Sequence, residues 1–142
     1  MGAICITDHH SFLSSAPLEQ LTDGSDLLLL RGAEASTDVG HFTLLGVQDD
    51  DWNSLVLTGR LDAQGLIDYV NDLGGAVIAA HPFRNGEARS GGWRMAKLKG
   101  LAAIEVWNSR CMVEEMQEAA ALAEAMGLPM VGGSDAHAAV EV

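Results

Sequence analysis

The chain has 142 residues, enough for one domain with a sizeable core and no more. Its 8 Lys+Arg face 20 Asp+Glu, a formal charge of −12, so it lacks the basic stripe that extended nucleic acid requires. Hydrophobic residues make up 48%, yet no apolar stretch is long enough to span a membrane and MGAICI is too short for a signal peptide, which together point to a cytoplasmic globular domain with no membrane partner.

In chain order, Ala3–Ile6 (AICI) reads as a strand, and Leu18–Leu21 as a short helix entered through Ser15 and Pro17. Leu27–Leu30 and Phe42–Val47 read as the next two strands, with Gly40 allowing a tight connection, and Asp49–Gly59 as a polar loop. Asp62 is placed to cap a helix running to about Leu73, with Leu66, Ile67, Val70 and Leu73 on one face and Gly74-Gly75 ending it. Val77–Ala80 is a strand, the glycine-rich stretch Asn85–Trp93 a mobile loop, and Ile104–Trp107 another strand. Val113–Met126 is rich in Ala, Glu, Leu and Met and predicts a helix stopped by Gly127-Leu128-Pro129, and a short strand Met130–Val131 leads into GGSDAH. Strands that alternate with helices predict a parallel α/β arrangement in one domain over residues 1–142. Cys5 and Cys111 are far apart with no CxxC, so both are expected as free thiols, Cys5 buried in its apolar run.

Five histidines carry the chemistry. His9, His10, His81 and His137 each follow a strand-like run by a few residues, and His41 directly precedes one. Asp8, Glu34 and Asp135 take the same kind of position. Parallel α/β folds gather their strand C-termini on one face and build sites there, so residues distant in sequence are expected to converge. Imidazole with carboxylate suits Zn, Mn or Fe, and a metal pair can activate water and offset phosphate charge. The blander roles are a hydrogen-bonded structural histidine and a helix-capping Asp. None of the five histidines lies in a helical pattern, which favours the site. Arg84, in HPFR, is a candidate phosphate clamp or else half of a salt bridge. Trp107 is expected in the core more than as a platform for substrate.

The ordered set ITDHH, GAEAS followed by GH, AAHPFR, IEVWN and GGSDAH resembles the PHP (polymerase and histidinol phosphatase) family of metal-dependent phosphoesterases, over residues 3–139. The resemblance implies a distorted (βα)7 TIM-like barrel whose strand C-termini hold two or three divalent ions, commonly Zn, Mn or Fe. It assigns His9, Glu34, His41, His81, Asp135 and His137 as metal ligands, with Glu34 bridging. It makes Asp8 an acid that orients the site, and His10 stands where the family varies and is expected to face substrate. Family members open on a strand ending in HxH, whereas this chain starts at what would be the second strand, and a final strand and helix after GSDAH are also expected to be missing. The barrel is therefore expected to be incomplete and to hold fewer ions.

Two functional readings follow. One is a phosphoesterase that hydrolyses a small phosphomonoester or phosphodiester with metal-activated water. The other is a catalytically inactive partial domain with a structural, regulatory or metal-binding role. The missing first strand leaves the flank of Ala3–Ile6 open, which predicts a homo-oligomer covering that edge.

Overall fold

The computed structural model describes residues 2–21, 24, 26–57, 59–86 and 90–141. The strands are β1 (Ala3–Ile6), β2 (Leu28–Ser36), β3 (His41–Leu45), β4 (Val56–Leu57), β5 (Arg60–Leu61), β6 (Ala76–Ala80), β7 (Ala103–Asn108) and β8 (Met130–Gly133); the α-helices are α1 (Ala63–Asp72) and α2 (Val113–Met126). Six strands form one sheet in the order β1-β2-β3-β6-β7-β8, and β4-β5 form a separate ribbon.

The sheet is mixed. β1 runs parallel to β2, and β6, β7 and β8 are mutually parallel, but β3 is antiparallel to both β2 and β6. The expectation of an all-parallel sheet fails at β3, because Thr37–Gly40 is a tight turn that can only reverse the chain. Thr37 accepts from the backbone N–H groups of Val39 and Gly40 and donates to the Gly40 carbonyl. Among the described residues the sheet does not close, so a complete (βα)7 barrel is not formed: β1 and β8 are its edges. It is curled, because residues of both edges line one cavity of about 660 Å³.

Strand alternation separates core from site. Ala33, Ala35, Phe42, Leu44, Val77, Ala79, Ile104 and Val106 are buried in one core cluster with Leu66, Ile67 and Val70 of α1 and Ala119, Leu122 and Ala123 of α2. The alternate residues Glu34, Thr43, Leu45, Ile78, Ala80 and Glu105 line the cavity on the opposite, concave face.

Helix α2 has the predicted bounds and ends at Gly127, whose φ of 64° is the left-handed cap that glycine adopts without a Cβ clash. The Asp62 side chain caps α1 by accepting from Gly65 N at 2.7 Å. Leu66, Ile67 and Val70 are buried as predicted, but Leu73, the C-cap residue of the helix, is 54% exposed.

Several boundaries differ from the sequence reading. The second strand extends to Ser36, past Arg31-Gly32, because it is paired on both sides and Arg31 finds Ser15 Oγ and the Phe12 carbonyl. The first helical turns are 3₁₀, cover Leu13–Leu21 and carry Pro17 inside. The stretch expected as a polar loop contains a 3₁₀ helix, Asp51–Ser54, that buries Trp52 completely, with its indole N–H donating to the Asp49 carbonyl. In Asn85–Trp93, residues 87–89 lie outside the described residues, and a 3₁₀ helix begins at Gly92. Cys5 is free but exposed, since it lies on an edge strand opposite Leu30, itself 49% exposed. Trp107 is 60% exposed rather than in the core, because it alternates with the buried Val106 and Asn108. No helix among the described residues is long and apolar enough to cross a membrane.

Candidate metal centre

Three strands bring the centre together. Glu34 sits near the end of β2, His41 opens β3, and His81 directly follows β6. The antiparallel course of β3 explains why a histidine before a strand joins residues that lie after strands: its first residue falls at the same end of the sheet as the last residues of β2 and β6. His41 Nδ1 lies 2.9 Å from Glu34 Oε1 and His81 Nε2 lies 3.2 Å from the same oxygen. Ser36 Oγ is 3.1 Å from His41 Nε2. Ligand atoms of Glu34, His41 and His81 lie within 4.8 Å of one another. Glu34 and His81 are 7% and 4% exposed.

Electrostatics favour an ionised carboxylate here. Burial pushes the Glu34 carboxyl up, but hydrogen bonding with His41 and His81 and the nearby His81 and His9 outweigh it, holding the group well below its ordinary value. One carboxylate and two imidazoles that converge in a shielded place form a donor set that suits a divalent cation.

The other predicted residues surround this trio unevenly. His9 Nδ1 is 4.0 Å from Glu34 Oε1, and its ring lies 5.8 Å from that of His41 and 6.1 Å from that of His137. His9 and Glu34 also form a parallel backbone bridge, which carries the β1–β2 pairing up to the site. The His10 ring stacks on His9 at 6.2 Å and is exposed. Asp8 lines the cavity and accepts from Ser14 Oγ at 2.7 Å. Asp135 pairs with Arg84 through Nη2, and both side chains are largely buried, 8% and 12% exposed. His137 Nδ1 is 2.8 Å from the Asp135 carbonyl and 3.1 Å from Arg110 Nη1.

Local strain is concentrated here. Among the described residues, the non-glycine residues with positive φ are His10 at 58°, His81 at 28° and Asp135 at 50°. All three belong to the predicted site, and each such conformation costs about 1–3 kcal/mol that the surrounding structure must offset.

Two groups were missed by sequence reasoning. Glu105 lines the cavity, and its Oε2 accepts from His81 N at 2.7 Å and from Asn108 Nδ2 at 3.1 Å. The available signal was a charge between Ile104 and Val106 in an apolar strand, which alternation turns away from the core. Glu115 is buried at the start of α2 and accepts from Asn85 N at 2.6 Å and Met112 N at 2.8 Å, so it ties the HPFR segment to that helix.

The fold is a mixed α/β half-barrel with a carboxylate–imidazole set at one end. A family model described as PHP-associated matches residues 114–142. A protein inferred to be a metal-dependent phosphoesterase from Bifidobacterium adolescentis aligns over 96% of this chain and 77% of its own, with TM-score 0.67 and 16% identity. An amidohydrolase from Chromobacterium violaceum, solved with bound sulfate and no metal, aligns over 98% of this chain and 78% of its own, with TM-score 0.65 and 16% identity. No curated protein matches the sequence. The family model touches only the C-terminal part of the chain, and the two structures share its fold over nearly its whole length.

Proposed function

We propose that the domain is a metal-dependent hydrolase acting on a small phosphoester. The observation that carries this reading is the convergence of Glu34, His41 and His81 at one end of a half-barrel shared with a protein inferred to be a metal-dependent phosphoesterase. A bound Zn, Mn or Fe ion would supply Lewis acidity and a lowered pKa for water. Glu34, His41 and His81 would hold it, and His9, Asp135 and His137 stand close enough to take part in a second position. Arg84, paired with the cavity residue Asp135, would be the cation that takes phosphate. It would bind the substrate by exchanging its Asp135 partner for phosphate oxygens, which frees the carboxylate at the same moment. Asp8 and His10, at the exposed rim, would orient the substrate and relay a proton.

The test is metal content together with Mn- or Zn-dependent hydrolysis of a phosphomonoester and a phosphodiester. Turnover that chelation removes and Glu34→Gln abolishes is the expected result. Metal binding without turnover on either substrate would support the second reading, a metal-binding domain without catalysis. That reading is favoured by Asp135 being engaged with Arg84, which leaves a single assembled trio among the described residues.

The open edges support a further part of this proposal, a homo-oligomer. Each of β1 and β8 has a partner on one side only among the described residues, and Leu28 and Leu30 next to β1 are about half exposed.

A further inference from the structure

We infer that Glu105 is a positioning residue that sets the orientation of His81 in the metal centre; this rests on the metal-binding reading above. His81 is the least regular residue of the trio. It directly follows β6 with φ 28°, a conformation that L side chains rarely adopt. Something outside β6 must therefore hold its peptide. The Glu105 carboxylate does so, with Oε2 accepting from His81 N at 2.7 Å across the β6–β7 ladder.

The carboxylate is itself fixed on two sides. Asn108, only 3% exposed, donates to the same oxygen at 3.1 Å. On β8, Gly133 leaves room for the other oxygen: a Cβ there would sit 2.2 Å from Glu105 Oε1. Gly133 is absent from the positive-φ residues, so its backbone would accept alanine and the side chain of Glu105 would have to yield. A glycine is thus required at this position for space rather than for conformation. Glu105 links the ends of β6, β7 and β8 and transmits their relative placement to a ligand. An imidazole held 1 Å out of place binds metal poorly, which is why groups that orient ligands count almost as much as the ligands.

The experiment is calorimetric titration of the metal-free protein with Zn²⁺ and with Mn²⁺, alongside its thermal unfolding. Glu105→Ala is expected to weaken binding by about 10- to 100-fold, and Gly133→Ala, which keeps the carboxylate but displaces it, to act in the same direction. Glu105→Gln keeps an oxygen acceptor for His81 N and is expected to restore affinity to within about threefold of wild type, whereas a role through charge alone would leave it as weak as alanine. Unfolding of the metal-free variants within a few degrees of wild type accompanies the expected result. Undiminished affinity in both alanine variants, or failure of the glutamine to restore it, overturns the inference. Wild-type protein that binds neither ion, like His81→Ala, would instead overturn the metal-binding reading itself.

Discussion

Glu34 and His41 meet side chain to side chain at 2.9 Å although the β2–β3 ladder pairs Glu34 with Thr43 and His41 with Ser36. The contact is diagonal across an antiparallel pair, with both residues on the concave face, and such diagonals are within reach of long side chains. His81 joins them from the third strand.

This arrangement has a pH signature in the metal-free protein. Because the folded Glu34 carboxyl is held below its ordinary value of 4.5, the unfolded chain binds that proton more tightly. The stabilisation it contributes is therefore fully present above that ordinary value and is lost as pH falls through the folded one. Glu34→Gln should be less stable than wild type near pH 6, with the gap narrowing in acid. Chemical denaturation from pH 6 to pH 2 checks it, and a constant gap would refute it.

Metal removal should destabilise the protein. An ion bound only by the folded state, at 100 times its dissociation constant, adds about 2.7 kcal/mol. Thermal unfolding in excess Zn²⁺ or Mn²⁺ should shift upward relative to chelated protein, and His41→Ala should abolish most of that shift.

Arg84 and Asp135 are expected to be energetically coupled, since their opposite charges meet with both side chains largely buried. A double-mutant cycle with Arg84→Met and Asp135→Asn should give about 1–3 kcal/mol of interaction by denaturant unfolding. A value near zero would show that the pair is not maintained in solution.

Two substitutions test the scaffold away from the centre. Trp52→Ala removes a completely buried indole and should cost about 3–5 kcal/mol. Gly127→Ala has open space around it, so only its left-handed backbone matters, and the cost should be about 1–2 kcal/mol. Both are read from urea midpoints.

The open sheet edge predicts self-association. Sedimentation should show a dimer or larger species, and a lysine placed on the edge, as in Ile4→Lys, should shift it toward monomer. A monodisperse wild-type monomer would refute the proposed assembly.

The sequence by itself determined the elements whose signals are local. Helix α2 was legible end to end, because its composition and its glycine stop agree within one segment. The Asp62 cap of α1 was equally clear. The clustering of histidines next to strands was also legible, since a strand end is a short-range feature. What only the tertiary structure decided is long-range pairing. The reversal of β3 brings His41 to the site end, and the strand order β1-β2-β3-β6-β7-β8 among the described residues sets which strands are neighbours. The capture of Asp135 by Arg84 joins residues 51 positions apart, and the burial of Trp52 inside a polar stretch and the exposure of Cys5 and Trp107 depend on which sheet face is covered. Periodicity reports that a strand has two faces. Which face is covered, and by what, is settled only when the strands on either side are in place.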